Sequence, residues 1–148
     1  DYHHGNGTQA VFYDRADVFF ASLHCRPEEE YPFLMGYAAE VGKGAGKGYN
    51  LNLPMPRGTD FQVWGLALET ALERIHNYAP DMLVVSLGVD SFIGDPVGGF
   101  ELQSPDYTTI GQAIAKASLP THFVMEGGYA MEALGTNVAN VVSGFTGT

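Results

Sequence analysis

Cys25 is the single cysteine of the chain. One thiol cannot close an internal disulfide, a usage that fits a reducing compartment. Long apolar runs are missing too: no stretch approaches the roughly 20 residues that a helix needs to cross a bilayer, and no basic-then-apolar leader is seen. A cytoplasmic protein with no membrane partner is therefore expected. Positive charge is scarce. Seven Lys and Arg stand against seventeen Asp and Glu, a net charge of -10, and such a field repels nucleic acid while attracting small cations. Signals for nucleophilic catalysis are also lacking. Ser86 and Ser91 have no nucleophile-elbow pattern, and nothing beside Cys25 would lower its pKa. The run from Gly42 to Gly48 carries Lys43 and Lys47, but no Ser or Thr follows them and no helix opens there, which argues against a phosphate loop.

What is there suits one globular domain: 148 residues, 45% hydrophobic and 16% charged, with room for a core. Nineteen glycines and eight prolines punctuate a repeating strand and helix order. Thr8 to Asp14 reads as a short helix and Asp17 to His24 as an apolar strand of the kind buried on both faces of a parallel sheet. Residues 25–48 lose periodicity, and a loop of that length is usually functional or disordered. Tyr49 to Leu53 is a second strand. Thr59 and Gln62 have capping-box spacing, with Thr59 as N-cap of a helix whose apolar stripe is Phe61, Trp64, Leu68, Leu72 and Ile75. Met82 to Leu87 reads as a buried strand, a helix opens at Ser104-Pro105 and runs to about Ala117, His122 to Met125 is a further strand, and Met131 to Val142 a last helix. The order implies an α/β fold with a mostly parallel sheet flanked by helices.

In such sheets ligands lie beyond the carboxyl ends of the strands. Asp90 follows one strand, Tyr129 another, and Asp1 with His3 would follow a third if a strand precedes them. Asp1 and His3 are two apart, so on an extended segment both project from one face. One imidazole and two carboxylates suffice for a catalytic Zn²⁺ with an open position. The plainer alternatives stay open on spacing alone: Asp90 as a turn cap, and Asp1 and His3 as surface residues. His24 reads as a core histidine, His76 as a helix-end residue and His122 as structural. The opening at Asp1-Tyr2-His3-His4-Gly5, inside a motif, suggests a fragment whose amino-terminal part is absent.

Asp1-Tyr2-His3-His4-Gly5-Asn6-Gly7-Thr8, Phe19-Phe20-Ala21-Ser22-Leu23-His24, Ser86-Leu87-Gly88-Val89-Asp90 and Met125-Glu126-Gly127-Gly128-Tyr129 resemble, in order and spacing, the bacterial acetylpolyamine amidohydrolases, relatives of the histone deacetylases in the arginase-deacetylase superfamily. The resemblance spans essentially the whole chain, which would then be the C-terminal portion, residues 1–148, of a single deacetylase domain. It implies that Asp1, His3 and Asp90 are the zinc ligands and Tyr129 the catalytic tyrosine. Tyr31 stands where the family usually has a Phe, lining the substrate channel with Gly127 and Gly128. Ser22 and Leu23, with the main-chain oxygens of Asp1 and His3, resemble a structural potassium site. Arginase-like relatives hold a second metal through carboxylates two residues beyond the shared ligands; here those positions are Gly5 and Phe92, so one Zn²⁺ is expected.

The function implied is zinc-dependent hydrolysis of N-acetyl amides, most of all on acetylpolyamines, small cationic amines suited to the acidic chain. An acetyl-lysine protein deacetylase is the enzymatic alternative, and a non-catalytic metal-binding fragment is the other. The family's general acid-base His pair lies upstream of the Asp-x-His motif, so His3-His4 is not that pair, and the chain alone is expected to turn over poorly. His4 is assigned structural support. The sequence leaves homo-oligomerisation open.

Overall fold

A computed structural model describes all 148 residues. Helix α1 (Asn6–Phe12) is followed by strand β1 (Phe20–Cys25), a long connection with one 3₁₀ turn (Gly44–Gly46), strand β2 (Asn50–Met55) and helix α2 (Phe61–Tyr78). Strand β3 (Leu83–Leu87), helix α3 (Ser104–Ala115), strand β4 (Thr121–Met125) and helix α4 (Met131–Thr146) complete it. Both strand pairs are parallel: β1 with β2, Phe20 opposite Asn50, and β3 with β4, Leu83 opposite Thr121. The expected α/β architecture is present, as two two-stranded pieces rather than one sheet. Tyr2 links their ends, accepting from the Cys25 N–H at 2.9 Å and donating its own N–H to Asp90 Oδ1 at 2.7 Å.

The core joins the elements through Tyr2, Met55, Trp64, Leu87, Phe100, Tyr107 and Val141, among others. Trp64 anchors the α2 stripe and is 7% exposed, a burial that favours folding by about 2–3 kcal/mol. Helices α3 and α4 pack with their backbones in contact, because Gly111 faces the Val141 carbonyl and Gly144 the Thr108 carbonyl, and a Cβ at either would overlap it.

Three expectations need correction. Thr59 does not cap α2: its Oγ1 donates back to the Pro56 carbonyl at 2.7 Å, and the cap is Asp60, which accepts from the Val63 N–H at 3.1 Å. The strand expected over Tyr49 to Leu53 is β2, Asn50–Met55, which pairs on through Pro54 to Met55. The strand Met82 to Leu87, read as buried, is covered on one face only. Leu83 and Val85 pack against the core with Phe123, whose ring meets Phe145 of α4 at 5.1 Å, whereas Val84 and Val124 on the other face are exposed. Helices of this chain cover only one side of that pair.

The segment between β1 and β2 is tied down by buried polar groups. Gln9 Oε1 accepts from Asn50 Nδ2 at 3.0 Å and Asn52 Nδ2 at 2.8 Å, and Gln9 Nε2 donates to Glu40 at 2.6 Å. Glu40 also accepts from the Gly36 N–H at 3.0 Å. Burial opposes its charge, but the bonds from Gln9, Gly36 and Tyr37 outweigh it and hold the Glu40 carboxyl below its ordinary range.

Candidate metal centre

Strand ends build the site. Gly88-Val89-Asp90 leaves β3, and Glu126-Gly127-Gly128-Tyr129 leaves β4. The two segments are stitched by the Val89 N–H on the Gly127 carbonyl, 2.6 Å, and by the Glu126 N–H on the Leu87 carbonyl, 3.0 Å. Asp1 and His3 lie against them. Side-chain ligand atoms of Asp1, His3 and Asp90 all fall within 4.8 Å of one another. His3 Nδ1 faces both carboxylates, 3.3 Å from Asp1 Oδ1 and 3.1 Å from Asp90 Oδ2.

Main-chain N–H groups aim the carboxylates. Asp1 Oδ1 accepts from the His3 N–H at 2.7 Å and Asp1 Oδ2 from the Gly127 N–H at 3.1 Å, while the Tyr2 N–H takes Asp90 Oδ1 and leaves Oδ2 toward His3. Asp90 is fully buried. That burial alone would raise its carboxyl, but the hydrogen bond from His3 and the Tyr2 N–H prevail and hold it below the usual carboxylate range. The crowding depends on missing side chains: a Cβ at Gly88 would overlap Asp1, and one at Gly127 would overlap both Asp90 and Asp1. Two carboxylates converging on one imidazole nitrogen suit a divalent ion of zinc's ligand preferences, with coordination positions left over. Gly5 precedes α1 and Phe92 bridges to Leu102 in a strand-like contact, so neither adds a donor for a second ion.

The other expected site residues are placed as follows. Tyr129 follows Gly128 and is 48% exposed. Tyr31 is exposed at the long connection, its ring 6.4 Å from that of His3. Ser22 Oγ, on β1, lies 2.9 Å from His24 Nδ1, while His24 Nε2 lies 2.9 Å from the Gly36 carbonyl. With Nε2 as the protonated nitrogen, the hydroxyl donates to Nδ1 and its lone pairs stay free. His4 is buried and donates from Nε2 to Gln9 at 3.0 Å. His24 is fully buried, 4.5 Å from His4 between ring centres, and desolvation pushes its pKa down to about 4. Cys25 is buried and its thiol pushed up by desolvation, unsuited to nucleophilic work.

Two features escaped the sequence reading. Asn50-Leu51-Asn52 on a strand places both amides on one face, which could have pointed to the network around Gln9. Asp95, in Gly94-Asp95-Pro96, looks like an ordinary turn residue. Yet its Oδ2 accepts from the Tyr129 and Ala130 N–H groups at 2.7 and 2.9 Å, and its Oδ1 from Val97 and Gly98 at 2.9 and 3.2 Å.

The histone deacetylase domain matches residues 1–145. Acetylpolyamine amidohydrolase 2 of Pseudomonas aeruginosa is 56% identical over 147 residues, covering 99% of this chain and 43% of that protein. The acetylpolyamine amidohydrolase of Mycoplana ramosa is 55% identical over 147 residues, with the same coverage of 99% and 43%. A crystal structure of acetylpolyamine aminohydrolase from Burkholderia pseudomallei superposes with a TM-score of 0.96 at 40% identity, over 98% of this chain and 42% of that one. The histone deacetylase Clr3 superposes with a TM-score of 0.93 at 32% identity, over 99% of this chain and 26% of that one. The chain thus spans 43% of the length of the Pseudomonas and Mycoplana amidohydrolases. No helix is long and apolar enough to cross a membrane. With the motifs, the parallel strand pairs and the domain match in agreement, the chain belongs to the histone deacetylase domain family.

Proposed function

We propose that the protein containing this chain hydrolyses the N-acetyl amides of polyamines with a single Zn²⁺ held by Asp1, His3 and Asp90, and that residues 1–148 are the C-terminal portion of its deacetylase domain. The observation that carries the reading is the convergence of those three donors, within 4.8 Å, beside the strand end that bears Tyr129. Zn²⁺ bound there would polarise the amide carbonyl and make a bound water acidic enough to attack it.

The chain's own groups do the rest. Asp1 and Asp90 supply carboxylate oxygens already aimed by main-chain N–H groups, so little reorganisation accompanies binding. Tyr129, leaving β4 through two glycines, donates its hydroxyl to the carbonyl oxygen as negative charge develops there. Gly127 and Gly128 leave room for a narrow acyl chain, and Tyr31 gives the approach an aromatic wall. The structural-potassium role of Ser22 and Leu23, with the Asp1 and His3 carbonyls, rests on the family resemblance, and the free lone pairs of Ser22 are compatible with it.

Substrate class follows from two supports. Relatives more than half identical are named acetylpolyamine amidohydrolases, and the net charge of -10 favours cationic amines. Turnover of acetylputrescine and acetylspermidine should exceed that of an acetyl-lysine peptide in the full-length protein. A strong peptide preference would shift the assignment to protein deacetylation.

A second reading is a metal-binding chain without turnover by itself. His4 and His24 are buried and hydrogen-bonded, and His122 lies near the start of β4, opposite the end that bears Tyr129. This leaves the chain without a general base beside the ligands, a loss worth about a hundred- to ten-thousand-fold. The isolated 148-residue chain supplied with Zn²⁺ should bind it and hydrolyse acetylspermidine at a small fraction of the full-length rate. Equal rates would refute this second reading.

A further inference from the structure

We propose that Asp95 is the positioning residue for the Tyr129 hydroxyl, one carboxylate clamping the loop that carries Asp90 to the loop that carries Tyr129. The inference rests on reading Tyr129 as the donor to the substrate carbonyl. Asp95 is 6% exposed. Its four partners are all backbone N–H groups, with Val97 and Gly98 on Oδ1 and Tyr129 and Ala130 on Oδ2. What it enforces is therefore main-chain geometry.

Both ends of the clamp matter. Gly98 packs on the Asp90 carbonyl so closely that a Cβ would overlap it, so Oδ1 is fixed to the segment that folds back over the ligand. On the other side, Gly128 sits at φ +154, and Tyr129 directly follows. A glycine in that conformation gives the chain freedom to swing, and the tyrosine side chain, 48% exposed, has little packing to hold it. The bonds at 2.7 and 2.9 Å are what set the direction in which the ring leaves the backbone.

The clamp also completes α4. Ala130 occupies the N-cap position and has no side-chain cap to offer. Asp95 takes that task from 35 residues away, placing negative charge at the positive end of a sixteen-residue helix, an arrangement that favours ionised acceptors. An Asn in its place would keep one acceptor oxygen and turn an NH₂ group toward the other N–H pair.

The test is a double-mutant cycle in the full-length protein with acetylspermidine as substrate, joined to amide hydrogen exchange. Asp95→Asn should keep zinc content and hold KM within about twofold while kcat falls about tenfold or more, because a misplaced donor is lost mainly in the transition state. In a Tyr129→Phe background the same substitution should change kcat by less than about twofold, since its target is gone. Exchange of the Tyr129 and Ala130 amides should quicken about tenfold. An equal kcat loss in both backgrounds, or unchanged exchange, overturns the proposal. If Asp95→Asn does not fold, Ala130→Pro removes one of the four donors at a φ of -76, which suits proline. It should lower kcat with the same non-additivity, and an additive fall counts against the clamp. Should the wild-type protein hydrolyse no acetylated amine, the reading of Tyr129 has failed, and the exchange measurement still decides whether Asp95 anchors its loop.

Discussion

At the scale of single residues, main-chain N–H groups aim the carboxylates of Asp1 and Asp90. Asp90 is fully buried, a position that ordinarily favours the neutral acid. The Tyr2 N–H, at 2.7 Å, aims it, and His3 Nδ1 lies 3.1 Å from its other oxygen. Gly127 contributes as much by what it lacks. Gly127→Ala, which changes no ligand, should weaken zinc binding about ten- to hundredfold in a chelator competition, because the methyl group would overlap Asp90 and Asp1. Wild-type affinity would show that the close approach is dispensable. Tyr129→Phe should retain zinc and lose about a hundred- to thousandfold in kcat. A loss confined to KM would instead mark Tyr129 as a channel residue. The grouping of Asp1, His3 and Asp90 was legible in the sequence through the family resemblance of their motifs, because the two-residue offset and the strand end, local patterns both, left plainer alternatives open. Asp95 was not, since a side chain that bonds backbone N–H groups 34 and 35 residues away leaves no local trace.

At the scale of elements, α2 shows how neighbouring caps compete. Thr59 and Asp60 can both serve, but Thr59 turns to the Pro56 carbonyl and Asp60 takes the Val63 N–H. Asp60→Ala should therefore cost about 1 kcal/mol in urea unfolding, against little for Gln62→Ala. The reverse order would restore the Thr59 box. The buried imidazoles between α1, β1 and the long connection add a pH dependence. Folding lowers the His24 pKa from 6.5 to about 4 through desolvation, and His4 shifts the same way for the same cause. The unfolded chain then binds protons that the folded chain refuses. The contribution is whole above pH 6.5 and shrinks as pH falls toward 4, by about 3 kcal/mol for His24. Unfolding free energies measured from pH 7 to pH 4.5 should fall accordingly, and a flat profile would mean that the pair is not held neutral. Helix and strand order was readable from periodicity and punctuation. Ends were less so, as at α4, which continues to Thr146 where the sequence suggested Val142.

At the scale of the whole molecule, three side chains that the chain holds up to 89 positions apart meet at the ends of two parallel strand pairs. The exposed second face of β3 was the part of the fold that sequence could not deliver, because an apolar run does not say whether both of its faces are covered, and Val84 and Val124 are left open here. The net charge of -10 acts over the same scale. KM for acetylspermidine should rise several-fold between about 20 and about 300 mM salt with kcat steady, since a shorter Debye length screens attraction to the cation. An insensitive KM would remove charge from the account. The most direct test of the whole is elemental analysis after dialysis against Zn²⁺: the wild-type protein should retain about one zinc per chain, and Asp90→Ala about none, as a three-donor site reduced to two no longer competes with water. Equal zinc in the two proteins would contradict the shared site of Asp1, His3 and Asp90.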